Sequence, residues 1–376
     1  MLNFTKTNVL GLDIGSSAVK AVQLRKDNTG YTVTAAGIAE IAPAASSREA
    51  NGGDKGNNNH RKINTLKAIR ECSKSAGSKT KFAVCGLSGP EVAVRDFEFP
   101  LLSTPEIEGA VLLEASQVCP FNAADSAVDY HLIPDGDDKT RGILVAATNE
   151  LIKNKVQLAK EAALKCVLMD VEGLALLNCF EELTYESEKS TARPSSPKST
   201  AILNVGGSGT TVAIMSGNGR PFIRDMTFAG DDIIKQIAAD KSMSTEDVKG
   251  ILSGDSISHR QTQMPAPVVA KVTQAQVELR DSLEKACQKL IVNVSETLRY
   301  YAAQEQSTPV KKIFVCGGFA LTKGFVELLN SRLGVEAVLW NPFEKMRCDT
   351  AQHLGDIIDK RGPALAVAAG FAMRSV

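Results

Sequence analysis

The stretch that constrains this chain most is residues 9–24, VLGLDIGSSAVKAVQL, together with its echo at residues 201–215, AILNVGGSGTTVAIM. In each, an apolar run that reads as a buried strand reaches a polar residue, Asp13 or Asn204. The run then breaks at a turn of glycines and hydroxyls and resumes as a second apolar strand. Strands joined by so short a turn form a β-hairpin. Two copies a domain's length apart predict an internal duplication, with the two turns facing each other across a cleft.

The turns suggest what the cleft holds. A lone carboxylate at the end of an apolar strand is costly to bury, so Asp13 needs a cation, a hydrogen-bonding turn, or both. Gly15 lets a ligand approach the backbone, and the N–H groups of Gly15, Ser16 and Ser17 can form an anion-holding nest, with Lys20 adding charge. Phosphate in the turn and a hydrated Mg²⁺ oriented by Asp13 satisfy this set. The competing reading is a hairpin whose Asp13 only caps its own turn.

Composition narrows the alternatives. The chain has 376 residues, enough for two domains with sizeable cores, and 43% of them are hydrophobic. Lys+Arg and Asp+Glu both number 43, so no net charge favours nucleic acid or an anionic membrane. Eight scattered cysteines without a CxxC pair, and only four histidines, predict a reducing, cytoplasmic setting without disulfides or structural zinc. No run approaches the roughly 18 apolar residues of a membrane span. ALAVAAGFAM near the end reads as a small-residue core helix.

Along the chain, residues 31–42 alternate as a further strand, and 43–60, PAASSREANGGDKGNNNH, read as a polar surface loop. Helices are predicted over 63–77, 103–121 and 149–164, strands about the Gly-Pro turn in 81–100, and a strand turning helical near Glu172. The Pro/Ser-rich segment 184–199 is the best domain boundary. Beyond it come the second hairpin, a helix opening at Gly230, Asp231 and Asp232, a capped helix at 244–254, a long helix at 270–304, and strand, Gly-Gly turn and helix over 311–334. Gly317 and Gly318 let a flat group lie on the backbone, although a plain strand-to-helix turn uses glycines equally well.

Neither GxxxxGK[ST] nor GxGxxG after a strand occurs, which removes the P-loop and dinucleotide readings. The ordered set of hairpin with Asp, second hairpin and Gly-Gly turn resembles the superfamily of actin, heat-shock chaperones and sugar kinases. More closely, the chain resembles the PilM family of type IV pilus assembly proteins. The resemblance rests on VLGLDIGSSAVKAVQL, LLEASQVCPFNAADSAVDYHLI, LMDVEGLALLN, STEDVKGIL and IFVCGGFALTKGF…LGVEAVLWNPFEKM, in that order. It implies an α/β, actin-like (ribonuclease H-like, duplicated) two-domain fold. Domain I would span 1–190 with an extra α/β subdomain inserted at about 79–165, domain II 200–360, and a closing helix 361–376 would return to domain I.

It also implies ATP and Mg²⁺ as ligands. Asp13 would orient Mg²⁺ through water, with Gly15, Ser16, Ser17 and Lys20 around the phosphates. Asn204, Gly206, Gly207, Ser208 and Thr210 would close from the other side. Glu246 and Lys249 would reach the ribose or base, unless they are simply a solvated helix face. Gly317, Gly318 and Phe319 would lie along the adenosine. The family usually has aspartate where this chain has Asn204, and asparagine cannot take a proton as a base. Asp225, Asp231 and Asp232 are nearby but are adequately explained by helix capping. Nucleotide binding with slow or absent hydrolysis is therefore expected.

The implied role is that of a cytoplasmic component of the inner-membrane pilus platform, peripheral to the membrane through its partners. Those partners are the cytoplasmic N-terminal tail of PilN, docked on the extra subdomain, and other pilus motor and platform proteins. Self-association stays open, and Phe121 and Tyr130 suit the docking groove or the core. Two rivals are an FtsA-like division protein, disfavoured because the chain stops at RSV without an amphipathic anchor, and a small-molecule kinase, disfavoured by Asn204. A type II secretion platform domain would continue into a membrane helix.

Overall fold

The computed structural model describes residues 8–43, 55–133, 139–188, 199–253, 266–304, 307–349 and 352–374. The first hairpin pairs β1 (Leu10–Ile14) with β2 (Ala18–Asp27), and β2 continues into β3 (Gly30–Glu40). Every β1 side chain is buried, as in a strand covered on both faces. β4 (Phe82–Leu87) and β8 (Lys165–Val171) add in parallel on the other side of β1. The second hairpin, β9 (Ser199–Val205) with β10 (Thr210–Met215), repeats the plan. There β11 (Pro221–Met226) is antiparallel to β10, while β12 (Val310–Cys316) and β13 (Glu336–Leu339) run parallel to β9. The sheet orders are β14-β3-β2-β1-β4-β8 and β11-β10-β9-β12-β13, where β14 is Arg347–Cys348. Apart from β14, each sheet is a three-strand meander extended by two parallel strands, so the duplication seen in the hairpins extends to the whole domain.

A third sheet, β5-β7-β6, is separate and antiparallel. It consists of β5 (Val92–Pro100), β6 (Ser126–Leu132) and β7 (Lys139–Thr148), packed under α2 (Thr104–Val118) by Phe97, Ile107, Val111 and Leu144. Phe99 and Tyr130 lie against this small core, so Tyr130 is a core contributor. The unit is narrower than the expected 79–165. β4 belongs to the first sheet, and α3 (Asn149–Glu161), capped by Thr148, packs Ala159 into that sheet's core with Leu12 and Cys85.

Two further boundaries differ from the sequence reading. α1 (Lys55–Ser75) begins inside the expected loop 43–60, whose residues 44–54 lie outside the described residues. The chain also rejoins the first domain before 361. Trp340 meets Phe180 at 5.5 Å, and Phe343, Leu354 and Ile358 share a core with Leu24 and Tyr31. Of the expected linker 184–199, residues 184–188 still belong to α4 (Glu172–Glu188), and 189–198 lie outside the described residues.

The remaining helices are α5 (Gly230–Lys241), α6 (Thr245–Ser253), α7 (Ala266–Ala302), α8 (Phe325–Arg332), α9 (Gln352–Arg361) and α10 (Ala366–Ala372). α10 is entirely buried, and its small residues are what permit this. A Cβ on Gly11 would stand 2.1 Å from the Ala368 carbonyl oxygen, and one on Gly370 would stand 2.4 Å from that of Ala175. The helix therefore presses directly against β1 and α4. Ala175, Leu176 and Leu177 of α4 pack with Val84 and Phe371 on one side and with Ile202 and Ala213 on the other, joining the domains.

Candidate functional site in the interdomain cleft

Hairpin register places Asp13 directly across from Lys20, and their side chains form an ion pair of 2.7 Å. Burial alone would lower the Lys20 pKa, but the charge and hydrogen bond of Asp13 more than offset it, and the net shift is upward. The turn closes through Gly15 N–H donating to the Ala18 carbonyl, 3.1 Å. Lys155 of α3 donates to the Ile14 carbonyl at 3.0 Å, bringing a second cation to the same turn.

The second turn is anchored to the helix behind it. Gly206 N–H donates to Gly209 O at 2.9 Å, while Gly230 and Asp231 N–H at the head of α5 donate to Gly206 O (3.1 Å) and Gly207 O (2.8 Å). The Thr210 hydroxyl donates to Phe228 O, 2.8 Å. Asn204 is buried at the end of β9, where its Oδ1 lies 3.9 Å from the Cys316 thiol.

The two turns meet. A Cβ built on Gly207 would lie 2.8 Å from both Ser16 Oγ and Ser17 Oγ and 3.0 Å from an Asp231 carboxylate oxygen. A side chain at Gly207 would have to push these hydroxyls and the carboxylate aside. The buried Ser16 hydroxyl has no hydrogen-bond partner among the described residues. An orphan hydroxyl of this kind costs about 1–3 kcal/mol unless something satisfies it. Around the meeting point lies a cavity of about 500 Å³, lined by Asp13, Gly15, Ser16, Ser17, Lys20, Asn204, Gly206, Gly207, Ser208, Thr210 and Gly318.

Lys155, Glu172 and Asp225 line it as well; the sequence reading gave the first two no role and set Asp225 aside as a helix cap. Burial, and then the negative charge of Asp13, push Glu172 up to about 7, with Lys155 and a Ser88 hydrogen bond opposing. Asp225 is no helix cap. It sits on β11, accepts from Thr211 Oγ1 at 2.6 Å and reaches across to accept Gly89 N–H at 2.7 Å. Burial raises its pKa. Capping does account for Asp232, which accepts from Ala229 N–H at 3.1 Å. The signal for Glu172 was its place at the strand-to-helix junction, and for Asp225 its place near the end of a short strand after the second hairpin.

The remaining candidates lie around the cavity rather than in it. Gly317 has φ +95°, and a Cβ there would stand 2.3 Å from Val205 O, so its demand for glycine comes from packing on β9. Phe319 points away into the second core, over Gly230 and 5.0 Å from Phe325. Lys249 reaches Asp231 at 3.8 Å, and Glu246 accepts from Thr245 Oγ1 at 3.0 Å.

The cavity wall carries serine hydroxyls and the cations Lys20, Lys155 and Arg61, set against the carboxylates Asp13, Glu172 and Asp225. Among the described residues no group of three or more His, Cys, Asp or Glu is placed to hold a metal alone. No described helix is long and apolar enough to cross a membrane.

The sequence model of the family described as type IV pilus assembly protein PilM matches residues 11–376. Among solved structures, the fold is similar to one titled "PilM-PilN type IV pilus biogenesis complex", at 21% identity over 98% of this chain and 99% of that chain, with a TM-score of 0.74. It is also similar to ethanolamine utilization protein EutJ from Carboxydothermus hydrogenoformans, at 14% identity over 98% and 90% of the two chains, with a TM-score of 0.51. The architecture is that of the actin-like ATPase fold, and the chain belongs to the PilM family of type IV pilus assembly proteins.

Proposed function

We propose that this chain is the actin-like, nucleotide-binding component of a type IV pilus inner-membrane platform, with ATP and Mg²⁺ taken up in the interdomain cleft. The observation that carries the reading is the opposition of the Gly15–Ser17 and Gly206–Gly207 turns around a buried, unsatisfied Ser16 hydroxyl. Two facing turns with serine hydroxyls and Lys20 beside them match an anion with oxygens on both sides, as a polyphosphate has. Gly15, Ser16, Ser17 and Lys20 hold the phosphates from the first domain, and Gly206, Gly207, Ser208 and Thr210 from the second. Asp13, paired with Lys20 at 2.7 Å in this structure, would orient the hydration shell of Mg²⁺. The metal supplies charge neutralisation between phosphate oxygens. Gly318 offers open backbone for the nucleoside, with Phe319 buried behind it, and Glu246 and Lys249 stand at that side.

The chemistry favours binding over turnover. Asn204 cannot accept a proton. A cleft lined from both domains makes different contacts with its ligand when open and when closed, so binding alone shifts their balance.

One solved structure of similar fold is titled as a complex of PilM with PilN. For this chain we take the N-terminal cytoplasmic tail of PilN as partner and the inserted β5-β7-β6 unit with α2 as its dock. Exposed Leu112 and Leu113 on α2 and Leu132 at the end of β6 offer apolar contacts there. The test is fluorescence anisotropy of a labelled PilN tail peptide with and without Mg-ATP. Saturable binding that weakens at least tenfold in Leu112→Asp/Leu113→Asp is expected. Unchanged binding in that variant removes the dock from α2.

A further inference from the structure

Three cations line the cleft, and they are held differently. Lys20 is paired with Asp13 at 2.7 Å, and Arg61 of α1 is exposed. Lys155 of α3 is half-buried. Its ammonium carries three N–H donors, and the Ile14 carbonyl, at 3.0 Å, is its one hydrogen-bond or ion-pair partner among the described residues. Its positive charge acts on Glu172 of α4 and on Cys85 of β4. The ammonium therefore lies where β1, β4 and α4 converge, near the C-terminal ends of two parallel strands. Open α/β sheets place their ligands at such ends.

The helix that carries Lys155 is fixed from both sides. Thr148, the last residue of β7, caps α3 by accepting the Leu151 N–H at 3.3 Å. Leu158 and Ala159, three and four positions beyond Lys155, pack in the core with Leu12 and Cys85, and such positions share a helix face. The ammonium is thus held at the cavity with two donors that no described protein group takes up. A partly buried charge in that condition is costly until solvent or a ligand completes it.

Resting on the nucleotide reading of the cleft, we infer that Lys155 contacts the terminal phosphate of a nucleoside triphosphate and so sets a preference for ATP over ADP. In that reading the nucleoside lies at Gly318 of the second domain, and the phosphates run from there between the facing turns. Lys155 enters from the first domain, beside Ile14 at the near end of the first turn, so the group it meets is the one farthest from the nucleoside. The serine hydroxyls and Lys20 serve the inner phosphates. A third phosphate adds negative charge, and an ammonium with free donors meets it with a charge-assisted hydrogen bond, roughly twice as strong as a neutral one. The competing role is a clamp that only ties α3 to the first hairpin through Ile14. A clamp would act on both nucleotides alike.

The test is isothermal titration calorimetry of the full chain with Mg-ADP and with the magnesium complex of β,γ-imido-ATP, which resists turnover. The wild type should bind the triphosphate tighter by about tenfold or more. Lys155→Met keeps the alkyl stem and removes the donors. It should lose most of that preference through weaker triphosphate binding, with Mg-ADP binding unchanged within about twofold. Lys155→Arg should recover part of the preference. Lys153→Met, which removes an exposed charge from the same helix, should leave it intact. An unchanged preference in Lys155→Met, or a loss of both nucleotides in equal measure with a lower melting temperature, overturns the assignment. So does a wild type that binds both nucleotides alike. A wild type that binds neither overturns the nucleotide reading itself, and the role of Lys155 with it.

Discussion

Asp225 on the second domain accepts the Gly89 backbone N–H of the first domain at 2.7 Å while holding the Thr211 hydroxyl at 2.6 Å. This carboxylate is a direct bond across the cleft. The rim adds Arg220, paired with Asp96 at 3.5 Å and with Glu98 at 3.3 Å on β5 of the inserted unit. Closure is thus read at the turn that leads from β4 into that unit, next to the surface proposed for the partner.

Asp225→Ala should open the cleft and destabilise the protein. It leaves the Gly89 N–H and Thr211 hydroxyl without their acceptor, a loss of about 1–3 kcal/mol. Urea denaturation reads the stability, and small-angle scattering should report a larger radius of gyration. An unchanged radius would mean that the domains are held by their packing alone.

The Glu172 carboxyl gives stability a definite pH dependence. Its folded pKa of about 7 lies above the ordinary 4.5, so between these values the folded state binds more protons than the unfolded chain. Its contribution therefore weakens as pH rises through that window and is most unfavourable above it, by about 3 kcal/mol. Glu172→Gln removes the titration. The difference in unfolding free energy between Glu172→Gln and wild type should favour the variant increasingly from pH 5 to pH 8. A constant difference would show that Glu172 is solvated in the folded state.

The two glycines after β12 should behave oppositely. Gly317→Ala forces a side chain into φ +95° and to 2.3 Å from Val205 O, so a loss exceeding about 2 kcal/mol is expected. Gly318 has no atom within 4 Å of its would-be Cβ, so Gly318→Ala should leave the melting temperature nearly unchanged while affecting cleft ligands. Equal effects on stability would contradict this division of roles.

Much of this architecture was legible because its signals are local. Each hairpin is an apolar run, a small-residue turn and a second run within sixteen residues, and the duplication could be read by comparing two such windows. Asp225 was visible in the sequence as a nearby carboxylate, but its partner was not. Asp225 meets Gly89, 136 positions earlier, and nothing within either strand announces the contact. Glu172 looked like the start of a helix, and only the folded arrangement puts it beside Asp13. The extent of the inserted unit was misjudged for the same reason. β4 and β5 read as a continuous pair about a Gly-Pro turn, yet β4 joins β1 and β8 in one sheet while β5 joins β7 in another. Parallel pairing depends on distant partners and leaves no mark on the turn. The early start of α1 was hidden by its Gly- and Asn-rich first turns, whose helix propensity is poor.

The central claim is that the cleft between the two turns binds nucleotide through Asp13 and the groups around it. The most direct measurement is thermal unfolding of the wild type and Asp13→Asn across a Mg-ATP titration. Ligand at one hundred times its Kd adds about 2.7 kcal/mol to a protein that binds it only when folded. The account predicts a rising midpoint for the wild type and a shift at least tenfold less sensitive to ligand for Asp13→Asn. A wild type that does not move with Mg-ATP, or a variant that moves equally, would contradict it.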